Sequence, residues 1–262
     1  MSATTQDRTR QVVTTLAEVF CVLGTLVGVG VLGTRVAESS GGALSADATL
    51  LAPDGPAFSI WSVVYAGLAA YTVWQWLPGR ATDPRLRSIG WLAAASMVLN
   101  ATWLLVTQQG WIWVSVVVIL ALVVVLGLLV RRLTARPARG LAERVVVDGT
   151  FGLYLGWVCV AVCANVTAAL VDSGVEPSTV VAETAAVVVL AVVAVLGVVL
   201  ARRLGARWSV AAASAWGLAW IAVGRTQSTP ESTATAVAAL AAAIVTVGAV
   251  VQARRSGTVA HP

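Results

Sequence analysis

An all-α polytopic membrane protein is the fold class that this 262-residue sequence predicts, and three observations predict it. Hydrophobic residues make up 58% of the chain and charged residues only 11%, with a mean hydropathy of +0.87. A soluble domain carries about 25% charged residues and could not cover its surface with so few. Apolar windows of about 20 residues, long enough to cross the hydrocarbon core of a bilayer, recur along the whole chain. All 17 basic residues are arginines, and they fall between those windows. Nucleic-acid binding would need them clustered on one exposed face, so no nucleic-acid partner is expected.

The windows give eight spans, at about residues 13–33, 57–77, 88–107, 110–130, 147–170, 178–201, 207–224 and 233–252. The first follows Arg8 and Arg10 and could be taken for a secretory signal. Its apolar run is too long for one, and "GTRVAESS" after it offers no small-x-small cleavage site, so it reads as a true span. Gly24 with Gly28, and Gly152 with Gly156, form GxxxG pairs that let helices approach closely and leave a homodimer open. "QQG" makes a nearly bare turn between the third and fourth spans. The long connection is residues 34–56, rich in Gly, Ser, Ala and Pro, which reads as a lid or a tolerated insertion.

Arginine placement sets the orientation. With eight spans and the N-terminus inside, only Arg35 and Arg225 fall in outer segments, and the remaining arginines fall inside. Cytoplasmic loops retain arginine far more often than translocated ones, so a cell-membrane protein with both termini cytoplasmic is expected. Glu18 and Asp148 then sit near the cytoplasmic ends of their windows, within reach of water, and no proton relay is expected from them.

The polar residues inside the windows carry the functional signal. The chain has two asparagines, Asn100 in "MVLNATWLLV" and Asn165 in "VCVAVCANVTAALV", both in apolar runs where a carboxamide is hardest to accommodate. At roughly 100° per residue, Phe58, Trp61, Tyr65 and Thr72 share one side of the second span. Tyr154, Trp157, Ala161 and Asn165 share one side of the fifth, and Asn100 and Trp103 lie one turn apart on the third. The loop charges put all of these at compatible depths beneath the long connection. Trp74, Trp76, Trp91, Trp111, Trp113 and Trp208, near window ends, read as the interfacial belt. Cys21, Cys159 and Cys163 lie inside windows and read as packing residues. His261 is the only histidine, so no metal site or haem ligation is expected. Read from the residues alone, the asparagines serve a pocket or act as hydrogen-bonding links between helices.

At these positions the sequence resembles the TspO/MBR family of tryptophan-rich sensory proteins, relatives of the mitochondrial translocator protein. The resemblance rests on Phe58 followed by Trp61, Ser62 and Tyr65, on Leu99, Asn100 and Trp103, and on Tyr154, Leu155, Trp157, Val158 and Asn165. It covers about residues 12–172. It implies a five-helix ligand-binding bundle over residues 1–172, with residues 173–262 as a three-helix C-terminal extension of unknown role. It also implies a ligand site at Trp61, Tyr65, Asn100, Trp103, Trp157 and Asn165, and a porphyrin, haem or other tetrapyrrole as ligand. Leu153 and Ile60 stand where the family has proline, and no tryptophan precedes Trp61. Porphyrin-degrading activity is therefore not carried over, and no sterol motif follows the fifth span.

The expected function is a membrane sensor, receptor or carrier that binds a flat apolar ligand in the outer half of the bilayer. It needs no cofactor and has no catalytic residues. A small-molecule transporter is the alternative, although the windows lack the midplane charges and broken helices of ion-coupled carriers.

Overall fold

Residues 3–256 are described in a computed structural model, and His261 lies outside them. Local sequence explains where the helices begin. A capping box starts α1 (Thr5–Gly28): the Thr4 side chain accepts from the Asp7 N–H while the Asp7 carboxylate accepts from Thr4. After a 3₁₀ turn at Gly55–Ser59 comes α2 (Ile60–Trp74). Asp83 caps α3 (Pro84–Gln108), with proline at its first position, where no backbone N–H is missed. Gly110, at φ 72°, allows the tight turn into α4 (Ile112–Thr134). A helical turn at Leu141–Glu143 and a wider π-type turn at Arg144–Gly149 run straight into α5 (Thr150–Asp172). Then follow α6 (Thr179–Arg203), α7 (Trp208–Gln227) and α8 (Thr233–Arg255), the last capped by Ser232.

Among the described residues these eight helices account for the expected spans, and seven are long and apolar enough to cross a membrane. The exception is α7, and its packing gives the reason. It lies between α5 and α8 and meets them through small residues such as Ala213, Ser214 and Gly217, so it needs little lipid-facing surface. It still runs the full length of the bundle. Arg207 at its start bonds to Asp148, and Arg225 near its end bonds to the long connection.

Helices α1 to α5 form a closed ring in the order α1, α3, α4, α5, α2. Outside it, α7 packs on α5, α8 on α7, and α6 on α8. Both GxxxG pairs serve contacts within the chain. A Cβ at Gly24 would lie 2.9 Å from Ala101 Cβ on α3, and one at Gly156 would lie 3.0 Å from Ala213 Cβ on α7. The pairs expected to leave a homodimer open are therefore covered by the protein's own helices.

The arginine-rich ends of the helices gather at one end of the bundle. Arg85 is the hub there. Its Nη2 donates to both oxygens of Asp148 at 2.7 Å, its Nη1 to Glu143 at 3.1 Å, and its Nε to the Arg136 carbonyl at 2.6 Å. Arg207 also donates to Asp148. The sequence expectation for Asp148 is thus corrected: it is buried and shared by two arginines rather than solvated. A charge this enclosed needs such partners, because water is not there to stabilise it.

Residues 34–56 strap the opposite end. Thr34 and Gln108 exchange two hydrogen bonds, and Ser40 Oγ donates to the Thr107 carbonyl at 2.7 Å. Ala43 and Leu44 pack beside Ile112, Val116 and Ala169. Leu51 then enters a cluster with Leu190, Leu218 and Ile221 of the last three helices. The buried Arg225 donates to the carbonyls of Ala46 and Thr49 at 3.0 Å each. On the strap itself, the Ser45 hydroxyl donates to Asp47 and holds its carboxyl below the usual carboxylate range.

Of the belt tryptophans, Trp76, Trp91, Trp111, Trp113 and Trp208 are exposed as expected. Trp74 is instead half-buried, with Arg80 stacked over its ring at 4.3 Å.

An aromatic group beneath the strap

Four rings meet inside the five-helix unit, and Trp61 is their centre. It stacks on Tyr65 at 5.3 Å, one helical turn along α2. It also makes edge contacts with Tyr154 at 5.8 Å and Trp157 at 6.2 Å, both on α5. Phe58 adds an edge contact to Trp157 at 5.7 Å. These positions follow from the sequence: residues three or four apart share a helix face, and α2 and α5 are neighbours in the ring. Edge and offset stacking of this kind adds about 0.5–1.5 kcal/mol per pair beyond area burial.

The two asparagines lie in different settings. Asn100 is 1% exposed, and its Nδ2 donates to Tyr65 Oη at 3.1 Å and to Cys21 Sγ at 3.4 Å. It thereby joins α3 to α2 and α1 and touches the aromatic group through Tyr65. Asn165 accepts from Trp103 Nε1 at 2.9 Å and donates to Ser115 Oγ at 2.9 Å, which links α5 to α3 and α4. The six candidate residues therefore form two sets. Trp61, Tyr65, Asn100 and Trp157 are together, and Trp103 and Asn165 are bonded to each other.

Two polar groups in this region have no hydrogen-bond partner among the described residues. One is the Trp157 indole N–H, on a side chain only 1% exposed. The other is the Glu18 carboxylate, both of whose oxygens are buried and unpartnered. Glu18 corrects the sequence expectation. The capping box starts α1 earlier than hydropathy placed it, so Glu18 lies midway along the helix instead of near its end. It is 6% exposed, one turn from Cys21 on the same face.

The last three helices do not all stand apart from this site. Trp216 Nε1 donates to the Ala57 carbonyl at 2.9 Å, the Asp54 N–H donates to the Trp220 carbonyl at 3.2 Å, and a Cβ at Gly217 would lie 3.4 Å from Trp157. Helix α7 thus forms a wall beside Trp157, which sequence reasoning missed. Trp216 and Trp220, four apart, were the signal that could have found it. Ser115 and Cys21, both buried polar partners of the asparagines, were missed because a serine or cysteine in an apolar run is unremarkable.

A ring of five helices enclosing an aromatic group, strapped at one end and tied by ion pairs at the other, with seven helices of the chain long and apolar enough to cross a membrane, defines a multi-pass membrane protein. The model of the TSPO-like protein family matches residues 13–251. The chain belongs to that family. The match runs through the last three helices, well beyond the roughly 12–172 over which the motifs carry the resemblance. No curated protein and no protein of solved structure matches the chain.

Proposed function

We propose that this TSPO-like protein binds a flat apolar ligand, a porphyrin or other tetrapyrrole, at Trp61, Tyr65, Asn100 and Trp157, and acts as its sensor or carrier. Trp103 and Asn165 hold the neighbouring wall of the site. One observation carries the reading: Trp157 keeps a buried indole N–H without a partner inside a cluster of rings. Leaving a buried donor unmade costs about 1–3 kcal/mol, so a ligand acceptor placed there gains a bond the empty protein lacks. The rings supply the apolar faces on which a planar ligand stacks. Trp61 is only half-buried and lies among the other three rings, so it is the ring that swings aside to admit a ligand.

The test is quenching of tryptophan fluorescence by protoporphyrin IX in detergent. Saturable quenching in the native protein, weakened in Trp157→Phe and Asn100→Leu, supports the reading. Quenching that never saturates, or that ignores both substitutions, removes it. Uptake into proteoliposomes separates carrier from sensor.

A further inference from the structure

We propose that the aromatic group and Glu18 together recognise an organic cation: an ammonium or cationic ring nitrogen on an apolar frame. The proposal rests on reading the aromatic group as a ligand site, and it adds a second ligand class, one whose positive charge Glu18 matches.

Glu18 has no ion pair and no hydrogen bond among the described residues, although its whole carboxylate is buried. The arginines around the start of α1 are committed elsewhere: Arg10 is bonded to Asp7 and the Ala81 carbonyl, and Arg87 to Asp7. Glu18 adjoins the site through α1: it lies one turn from Cys21 on the same buried face, and Cys21 accepts from Asn100, which also donates to Tyr65 of the aromatic group. A buried ionisable group within a membrane bundle is costly and marks a functional position by default. A carboxyl enclosed without a counter-charge is costly to ionise, and a cation that reaches it stabilises its charged form strongly.

The rings supply the second half of the recognition. The faces of tryptophan and tyrosine attract cations, and several such faces around one point make a cage for ammonium groups. Here Tyr65, Tyr154 and Trp157 each lie against Trp61, which is half-buried. Displacing it would open the stacked face of Tyr65, with Tyr154 and Trp157 alongside, near the Glu18 carboxyl. A neutral ligand of the same shape would gain the stacking and leave Glu18 unmatched.

A matched pair of probes tests this: N-methylacridinium and its neutral isostere 9-methylanthracene. Binding to the full chain in phosphatidylcholine nanodiscs is measured after subtracting partition into empty discs, with protoporphyrin IX alongside. The native protein is expected to bind the cation about tenfold more tightly than the isostere. Glu18→Gln should abolish that preference, and Glu18→Asp should restore much of it. Equal binding of both probes by the native protein, or a preference that survives Glu18→Gln, overturns the proposal. Absence of binding by both probes does so as well. Failure of protoporphyrin IX alone counts against the tetrapyrrole reading and leaves the cation result to stand by itself.

Discussion

Replacing Arg225 by glutamine should loosen residues 46–57 without unfolding the helices beneath them. Arg225 is 1% exposed and donates to the carbonyls of Ala46 and Thr49, so it fastens the strap to α7 at two adjacent points. Hydrogen bonds from a charged donor are worth about 1.5–3 kcal/mol each. A glutamine amide is shorter and can recover one of the two at best, which leaves a net loss of about 2–3 kcal/mol in the free energy of local opening. At 1.4 kcal/mol per tenfold, the amides that depend on the closed strap should exchange roughly 30- to 140-fold faster. These are Ala52, which donates to Thr49, and Asp54, which donates to Trp220. Hydrogen exchange read by mass spectrometry on the protein in nanodiscs measures this peptide by peptide. Arg225→Lys, with one compact head in place of a fork, should fall between the native protein and the glutamine variant. Unchanged exchange over 46–57, or acceleration spread evenly over α1 to α5, would refute the assignment of Arg225 as the fastening of the strap.

Asp148→Asn should destabilise the protein by about 3 kcal/mol, seen as a lower melting temperature in detergent, because Arg85 and Arg207 lose their shared counter-charge while buried. Gly156→Val would drive a branched side chain into Val210 and Ala213 and part α7 from α5, at a cost of about 1–3 kcal/mol. A melting temperature equal to the native one would argue against that contact. Asn165→Leu should leave Trp103 Nε1 without its partner, with Ser115 Oγ keeping only its bond to the Ile112 carbonyl, and cost about 1–3 kcal/mol, while protoporphyrin IX quenching changes less than in Asn100→Leu. The reverse order of effects on quenching would move the ligand site toward α4.

How much of this was legible in the sequence depends on the range of the interaction involved. Helix number, class and most boundaries were legible to within a few residues, because apolar runs are local signals: "QQG" closes α3 as expected, while Asp83 and Pro84 start it four residues ahead of the expected 88. Periodicity put Trp61 with Tyr65 on one face of α2 and the loop charges gave Trp157 a compatible depth, while bringing α2 beside α5 was implied only by the family resemblance. The start of α1 was misplaced because hydropathy does not see the Thr4–Asp7 box, and with it the depth of Glu18 was lost. Only the tertiary structure decided the rest. The order in which helices neighbour one another is fixed by contacts far apart in sequence, so neither α7 beside Trp157 nor the strap on Arg225 follows from any window of residues. The same holds for the two asparagines. Each had to bond something inside the bundle, because a buried amide without partners is expensive. That Asn100 would reach Tyr65 beside the rings, while Asn165 would tie Trp103 to Ser115, is a matter of which helix faces which, and sequence periodicity carries no record of that.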